Sequence, residues 1–212
     1  MILTILGAPG AGKGTMAKTI AEKLNIPTIS TGALLRDEIK SGSVLGEEIN
    51  SLISNGNFVP DEMITPILVR RIASDDCKNG YILDGFPRNR TQAENLMNIG
   101  IKLDTALLIE VSDKDILTRL IGRRECPGCR TTFHVTYSPP KIADICDNCG
   151  TELKVRQDDK EDIILKRLKI YHSETEPLIQ YFIENNLLVS ARGETEISDT
   201  KENVFKALKI EW

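Results

Sequence analysis

The sequence predicts an α/β protein whose main sheet is parallel and covered by helices on both faces. Three observations predict it. First, the short apolar runs Ile2-Leu3-Thr4-Ile5-Leu6, Tyr81-Ile82-Leu83, Thr105-Ala106-Leu107-Leu108-Ile109-Glu110-Val111 and Leu187-Leu188-Val189 read as strands. The third is nearly continuous in apolar character, which suits a strand buried on both sides. Second, segments with helical apolar spacing alternate with these runs, and that alternation favours right-handed crossovers between parallel strands. Third, a glycine-rich turn joins the first strand to the first helical pattern.

Taken in order, that first helix carries Met16, Ala17, Ile20, Ala21 and Leu24, and Asn25-Ile26-Pro27 breaks it before a short strand at Thr28-Ile29-Ser30. Two compact helices follow, one with Leu34, Leu35 and Ile39, the other with Leu45, Ile49, Leu52 and Ile53. Together they form a helical insertion over residues 31–59. Asp61 is placed to cap the next helix, in which Pro66 implies either a shifted start or a local kink. After the strand ending at Asp84 comes a helix with Gln92, Ala93, Leu96 and Met97; after the strand ending at Val111, Ser112 or Asp113 caps a helix with Ile116, Leu117, Leu120 and Ile121. Residues 122–159 carry no helical period. Helical pattern resumes with Ile163, Ile164, Arg167, Leu168 and Tyr171, Pro177 breaks or restarts it, and Val204, Phe205 and Leu208 mark a closing helix. There is no internal repeat and no low-complexity tract.

Composition narrows the function. The chain has 212 residues, 41% hydrophobic and 27% charged, with net charge −4, enough for a sizeable core in one or two domains. The mild acidity argues against nonspecific nucleic-acid binding. No apolar run approaches the roughly 18 residues of a membrane-spanning helix, and the first apolar stretch is too short for a secretory signal. These features predict a cytoplasmic enzyme.

The turn Gly7-Ala8-Pro9-Gly10-Ala11-Gly12-Lys13-Gly14-Thr15 has the context of a phosphate loop: buried strand, glycine-rich turn, helix start. Its amides form an anion-binding nest at the positive end of the helix, and Lys13 adds a point charge for outer phosphates. Gly14 stands where the common pattern has a hydroxyl, which arrives one residue later at Thr15. Asp84-Gly85-Phe86-Pro87-Arg88 follows a strand at its carboxyl end, the edge where ligands sit in such sheets. Cys126, Cys129, Cys146 and Cys149 form two C-x-x-C pairs separated by sixteen residues, the knuckle spacing of a closed tetrahedral zinc site, with iron or cobalt as alternatives. Disulfides and idle thiols are the competing readings. Cys77 joins no motif and reads as structural.

Gly7 to Thr15, Ser30-Thr31-Gly32 with Arg36, Asp84 to Arg88 and Gly122-Arg123-Arg124 together resemble the adenylate kinase family, in family order and across nearly the whole chain. The displaced hydroxyl at Thr15 is that family's variant of the loop. The resemblance implies a P-loop nucleoside-monophosphate kinase fold: a parallel five-stranded sheet flanked by helices, in a core of residues 1–29, 60–121 and 160–212. It also implies an AMP-binding domain at 30–59 and a zinc-bearing lid at 122–159. The implied reaction moves the γ-phosphoryl group of ATP, with Mg2+, onto AMP to give two ADP. Of the site residues it implies, Lys13, Arg88, Arg123, Arg156 and Arg167 are catalytic. Gly10, Ala11, Gly12, Lys13, Gly14, Thr15, Arg119, Arg123, Thr132, Phe133 and Thr195 bind ATP, Phe133 being equally placed for lid core. Thr31, Gly32, Arg36, Asn57, Phe58, Val59, Gly85, Phe86, Pro87, Arg88, Gln92, Arg156 and Arg167 bind AMP. Asp84 orients water on Mg2+, and the four paired cysteines hold a structural Zn2+. Thr31 and Gln92 match the AMP-selecting forms. The resemblance further implies a monomer with no nucleic-acid or membrane partner. A nucleotide-gated module gripping nucleic acid through its knuckle is the rival; sparse aromatics and overall acidity disfavour it.

Overall fold

The computed structural model describes residues 1–55, 57 and 59–211. In chain order the elements are β1 (Ile2–Leu6), α1 (Lys13–Leu24), β2 (Thr28–Ser30), α2 (Thr31–Lys40), α3 (Val44–Ser54), α4 (Asp61–Ile72), β3 (Tyr81–Asp84), α5 (Arg90–Asn98), β4 (Thr105–Glu110) and α6 (Asp113–Ile121). They continue with β5 (Arg123–Glu125), β6 (Thr132–His134), α7 (Glu161–Ile170), α8 (Pro177–Glu184), β7 (Leu188–Arg192) and α9 (Ile197–Leu208). The main sheet has five strands in the order β2-β3-β1-β4-β7, and every pairing is parallel. The chain fills one side of β1 with β2 and β3 before crossing to β4 and β7. The order in which strands are added therefore reverses at β1, and the crevice at the carboxyl ends of the strands there is the place such folds offer a ligand.

Apolar side chains on both faces account for this arrangement. Leu3, Ile5, Leu107 and Ile109 pack with Ile20 of α1, Ile116 of α6 and Val204 of α9 on one face. Leu6 and Leu108 meet Leu178 and Phe182 of α8 on the other. A separate cluster joins β2 and β3 to the helices of the insertion and to α4 through Ile29, Leu35, Ile49, Leu68 and Leu83. The segment between α6 and α7 has a core of its own that is very small: Cys126, Phe133, Cys146 and Leu153. Its only strand pair is the antiparallel β5–β6, three residues each. Among the described residues no helix is long and apolar enough to cross a membrane.

Four local expectations are resolved. Ser112 caps α6, its Oγ accepting from the Asp115 amide. Asp61 does not cap α4: Pro60 holds that position, and Asp61 Oδ1 instead accepts from Gln92 Nε2 at 2.5 Å. Pro66 lies inside an unbroken α4, so it does not displace the helix start. Pro177 restarts a helix at its first turn, after Tyr171–Thr175 wind as a π turn. Strand β7 also runs further than its apolar residues indicate, because Ser190, Ala191 and Arg192 pair with Leu108, Ile109 and Glu110 at the sheet edge.

Candidate active site

The glycine-rich turn leaves β1 and enters α1, closing on itself through the Ala11 amide, which donates to the Ala8 carbonyl at 3.1 Å. Gly12 is the N-cap of α1 at φ 94, a left-handed conformation that favours glycine, and no side chain caps the helix. There is no acidic residue in the first turn either, so the positive end of α1 is left to an external anion. Gly10 has a second reason to lack a side chain, since a Cβ there would lie 2.7 Å from Leu120. A Cβ on Gly14 would stand 3.4 Å from Asp84 Oδ2, so the loop and the end of β3 meet closely at that point.

Lys13 folds back on this turn and donates to the carbonyls of Gly7 and Ala8, both at 2.8 Å. Burial brings its ammonium down to about 8; Asp84 opposes that shift, while Arg88, Arg167 and Arg123 add to it. The lysine thus sits in a field of like charge that a polyphosphate would neutralise.

One cleft gathers Lys13, Arg36, Arg88, Arg156 and Arg167, with Asp158 the single carboxylate among the described residues of its lining. Arg36 comes from α2, and its Nε is buried with no hydrogen-bond partner among the described residues. Burial lowers Arg36 and then Arg156 repels it further. An unsatisfied buried donor is costly unless a ligand completes it. Arg88 donates from Nε to the Gly85 carbonyl at 2.8 Å. Burial lowers it too, against the pull of Asp84.

The remaining arginines are held by an acidic pair. Arg123 donates to both oxygens of Asp159, at 2.7 and 2.5 Å. Arg156 grips both oxygens of Asp158 at 3.0 Å and reaches Glu125 at 3.4 Å. Arg167 donates to the Asp158 carbonyl at 2.8 Å and lies 2.9 Å from its carboxylate. Burial alone would raise the Asp158 carboxyl, but Arg167 and then Arg156 outweigh it and bring the group down to about 2. A carboxylate depressed in the fold stabilises it above the ordinary value of about 4 and loses that contribution as pH falls through the depressed one. Acid titration of thermal stability should show roughly 2 kcal/mol disappearing across that window. Asp158→Asn should flatten it, and an unchanged acid profile in that variant would contradict the assignment.

Arg119 bridges the two sides of the loop, donating to the carbonyl of Glu194 at 2.7 Å and reaching those of Gly193 at 3.4 Å and Ala11 at 3.5 Å. Asn57, Val59, Gly32, Gly85 and Pro87 line the cleft, together with Tyr171 and Thr175 of the π turn, which no motif in the sequence singles out. Phe58 lies outside the described residues. Several side chains occupy other surroundings. Phe86 is 2% exposed in the core, and Phe133 belongs to the small core of the cysteine-bearing segment, the alternative its sequence left open. Thr132 and Thr195 are exposed on β6 and on the loop before α9. Thr31 is fully buried and donates toward the carbonyls of Gly85 and Asp84, at 3.0 and 3.3 Å. Gln92 is buried as well, accepting from the Arg88 amide at 2.6 Å while donating to Asp61. Its amide thereby fixes the Arg88 turn, a bond that neither residue's position in the sequence announces.

The segment carrying the cysteines touches the helical insertion across the cleft. Arg130 pairs with Asp37 of α2, Ser54 donates to Gln157 at 3.4 Å, and Lys166 of α7 donates to the Asn55 carbonyl at 2.7 Å. Within that segment the four sulfurs of Cys126, Cys129, Cys146 and Cys149 lie within 4.8 Å of one another. Cross-turn sulfur distances are 3.4 Å for Cys126–Cys149 and 3.5 Å for Cys129–Cys146. A disulfide needs about 2.05 Å. Bonds of about 2.3 Å to one tetrahedral zinc put sulfurs roughly 3.8 Å apart. The donor set and spacing therefore fit a metal held by four thiolates, with no coordination position left open for chemistry.

Residues 5–187 match the family model described as adenylate kinase. A protein named adenylate kinase from Caldicellulosiruptor saccharolyticus is 49% identical over the whole of both chains. Proteins of the same name from Acetivibrio thermocellus and Thermodesulfovibrio yellowstonii are 46% and 45% identical, over 98% and 99% of each chain.

Proposed function

The chain belongs to the adenylate kinase family and transfers the γ-phosphoryl group of ATP reversibly to AMP; on that premise we propose that the arginine-lined cleft is where the transfer occurs. The observation that carries this reading is the convergence of Lys13, Arg36, Arg88, Arg156 and Arg167 on one cleft with a single lining carboxylate. Phosphoryl transfer needs little covalent help from a protein; it needs reactants held in line, charge neutralised and water excluded. The AMP phosphate oxygen is already anionic, so no general base is required.

In this reading the amides at the start of α1 and Lys13 take the ATP phosphates, with Gly10 to Thr15 supplying the cradle and Arg119 lying against the base. Arg36 and Arg88 take the AMP phosphate, the unsatisfied Arg36 Nε gaining an acceptor. Arg123, Arg156 and Arg167 close on the transferring group, exchanging the carboxylates of Asp158 and Asp159 for phosphate oxygens. The acidic pair acts as a placeholder that keeps three like charges together while the cleft awaits substrate. Residues 30–59 form the AMP-binding domain, 122–159 the lid, and the rest the core. Asp84, beside Gly14 and facing Lys13, is the group placed to hold water on Mg2+, whose bound charge offsets that of the phosphates. The cysteine cluster holds a structural zinc. A single chain carries every one of these groups, which suits a monomer, and unbridged cysteines suit the cytoplasm.

Mixing the protein with Mg-ATP and AMP and following ADP tests the reading, with GMP, CMP and UMP as competing acceptors. ADP from AMP alone is expected; equal use of the four would sink the base assignment. The lysine gives a pH test. Because burial lowers Lys13 to about 8 in the nucleotide-free protein, its charge is lost above that pH unless a phosphate restores it. ATP affinity should be flat to about pH 8 and then weaken by up to tenfold per unit. Calorimetry at pH 7, 8 and 9 checks this, and binding that stays constant throughout would refute it.

A further inference from the structure

The two cysteine turns are built alike. Each reads Cys-x-x-Cys-x-Thr, from Cys126 to Thr131 and from Cys146 to Thr151. In both, the first cysteine's amide donates to the threonine carbonyl at 2.9 Å, and the residue before the threonine donates to the first cysteine's carbonyl at 2.9 Å. That residue, Arg130 or Gly150, stands at φ 61 or 72. A six-residue unit is too short to register as an internal repeat, yet it is folded twice. Each fold returns a threonine oxygen to the second cysteine: Thr131 Oγ1 lies 3.2 Å from Cys129 Sγ, where either group can donate, and Thr151 Oγ1 accepts from the Cys149 thiol at 3.3 Å, a bond that must reverse to O–H donating to sulfur once a metal takes the thiol proton. Cys129 and Cys149 are the exposed members of the cluster, whereas Cys126 and Cys146 are buried.

The surroundings of Thr131 leave its hydroxyl proton to the sulfur. Asn148 Nδ2 donates to Thr131 Oγ1 at 2.8 Å, which leaves the threonine's own O–H to face the sulfur. Asn148 belongs to the second turn, so this bond also ties the turns together. Its counterpart in the first turn is Gly128. A Cβ there would lie 2.9 Å from Thr151 Oγ1 and 3.5 Å from Cys149 Sγ, so glycine keeps the space the second hydroxyl occupies.

We propose that Thr131 and Thr151 are hydroxyl donors to the two outward thiolates of the metal site, and that they slow the loss of the metal to solvent ligands. The proposal rests on the zinc reading above. A zinc ion with four thiolates carries a net charge of −2, and the protein has to spread that charge. Burial shields Cys126 and Cys146. The outward pair meets water and chelators directly, and an O–H donor both withdraws charge from the sulfur and occupies the lone pair at which attack begins. Removal of such an outer partner typically costs about 10- to 100-fold in metal affinity.

The experiment uses the full zinc-loaded chain. Metal content is measured first, then release to excess chelator, for wild type, Thr131→Val, Thr151→Val, the double variant and the matching serine variants. Cobalt-loaded samples report the thiolate-to-metal absorption band. The expected result is release about tenfold or more faster in the double valine variant, a band shifted to longer wavelength, and recovery of both by serine, which keeps the hydroxyl. Asn148→Ala, which leaves both threonines in place, should accelerate release by a smaller factor. A valine variant that purifies without metal supports the proposal if its serine counterpart retains one, and overturns it if serine fails equally. Unchanged release and an unmoved band in the valine variants overturn the proposal alone. A wild-type chain that holds no metal overturns the zinc reading and the proposal with it.

Discussion

Arg88→Lys should lower turnover with AMP by roughly 10²- to 10³-fold, the usual cost of removing one preorganised donor from a transition state. Two deficits act together. A guanidinium presents paired donors in a plane that matches two phosphate oxygens, and an ammonium is a point charge on a flexible stem. The substituted lysine would also lose charge. Arg88 tolerates its burial because a guanidinium's ordinary value lies far above neutrality, and burial lowers it from there. Lysine starts about two units lower, and neighbouring Lys13 shows what this cleft does to an ammonium, bringing it down to about 8. The variant should therefore recover part of its rate as pH falls from 8 to 6, which loss of fork geometry alone would not produce. A coupled ADP assay across that range, with thermal stability as the control for folding, is the measurement. Near-normal turnover at pH 8 would contradict the bidentate argument.

The order of strands and helices is legible in the sequence because it depends on period and punctuation, which neighbouring residues determine. The apolar runs of β1, β3 and β4, the break at Asn25-Ile26-Pro27 and the glycine-rich turn all leave that kind of mark. Which residues share the cleft is legible through motif and resemblance, and Lys13, Arg36, Arg88, Arg156 and Arg167 do meet. What each side chain does before a ligand arrives is not legible. Lys13 turns to its own loop carbonyls, Gln92 is taken by Arg88 and Asp61, and Arg130 reaches across to Asp37. These choices are set by partners 31 and 93 positions away in the last two cases, and no local pattern encodes them. The π turn at Tyr171–Thr175 escapes for a related reason: Pro177 marks a boundary without stating how the preceding turn is wound.

Removing the lid metal should have the second large effect, and the size of the lid core explains why. Only Cys126, Phe133, Cys146 and Leu153 are buried together there, and two of those four belong to the four-sulfur cluster. A segment of 38 residues, 122–159, cannot offset its ordering entropy with so little apolar burial. Zinc binding contributes roughly 10–16 kcal/mol in isolated fingers, much of it coupled to folding. The main sheet has independent apolar clusters on both faces, so it should stay folded when the metal leaves. The chelated protein, or Cys126→Ser/Cys146→Ser, should therefore unfold in two steps, with an early lid transition and a later one for the sheet. Turnover should fall by about 10²-fold or more, since Arg123 begins β5 and Arg156 precedes the acidic pair, and both depend on an ordered lid to reach phosphate. Hydrogen exchange resolves the two regions: amides of residues 122–159 should lose protection while those of β1 and β4 keep it. If lid protection, melting and turnover all match the metal-bound protein, the lid orders itself by other means, and the four sulfurs are incidental to closure.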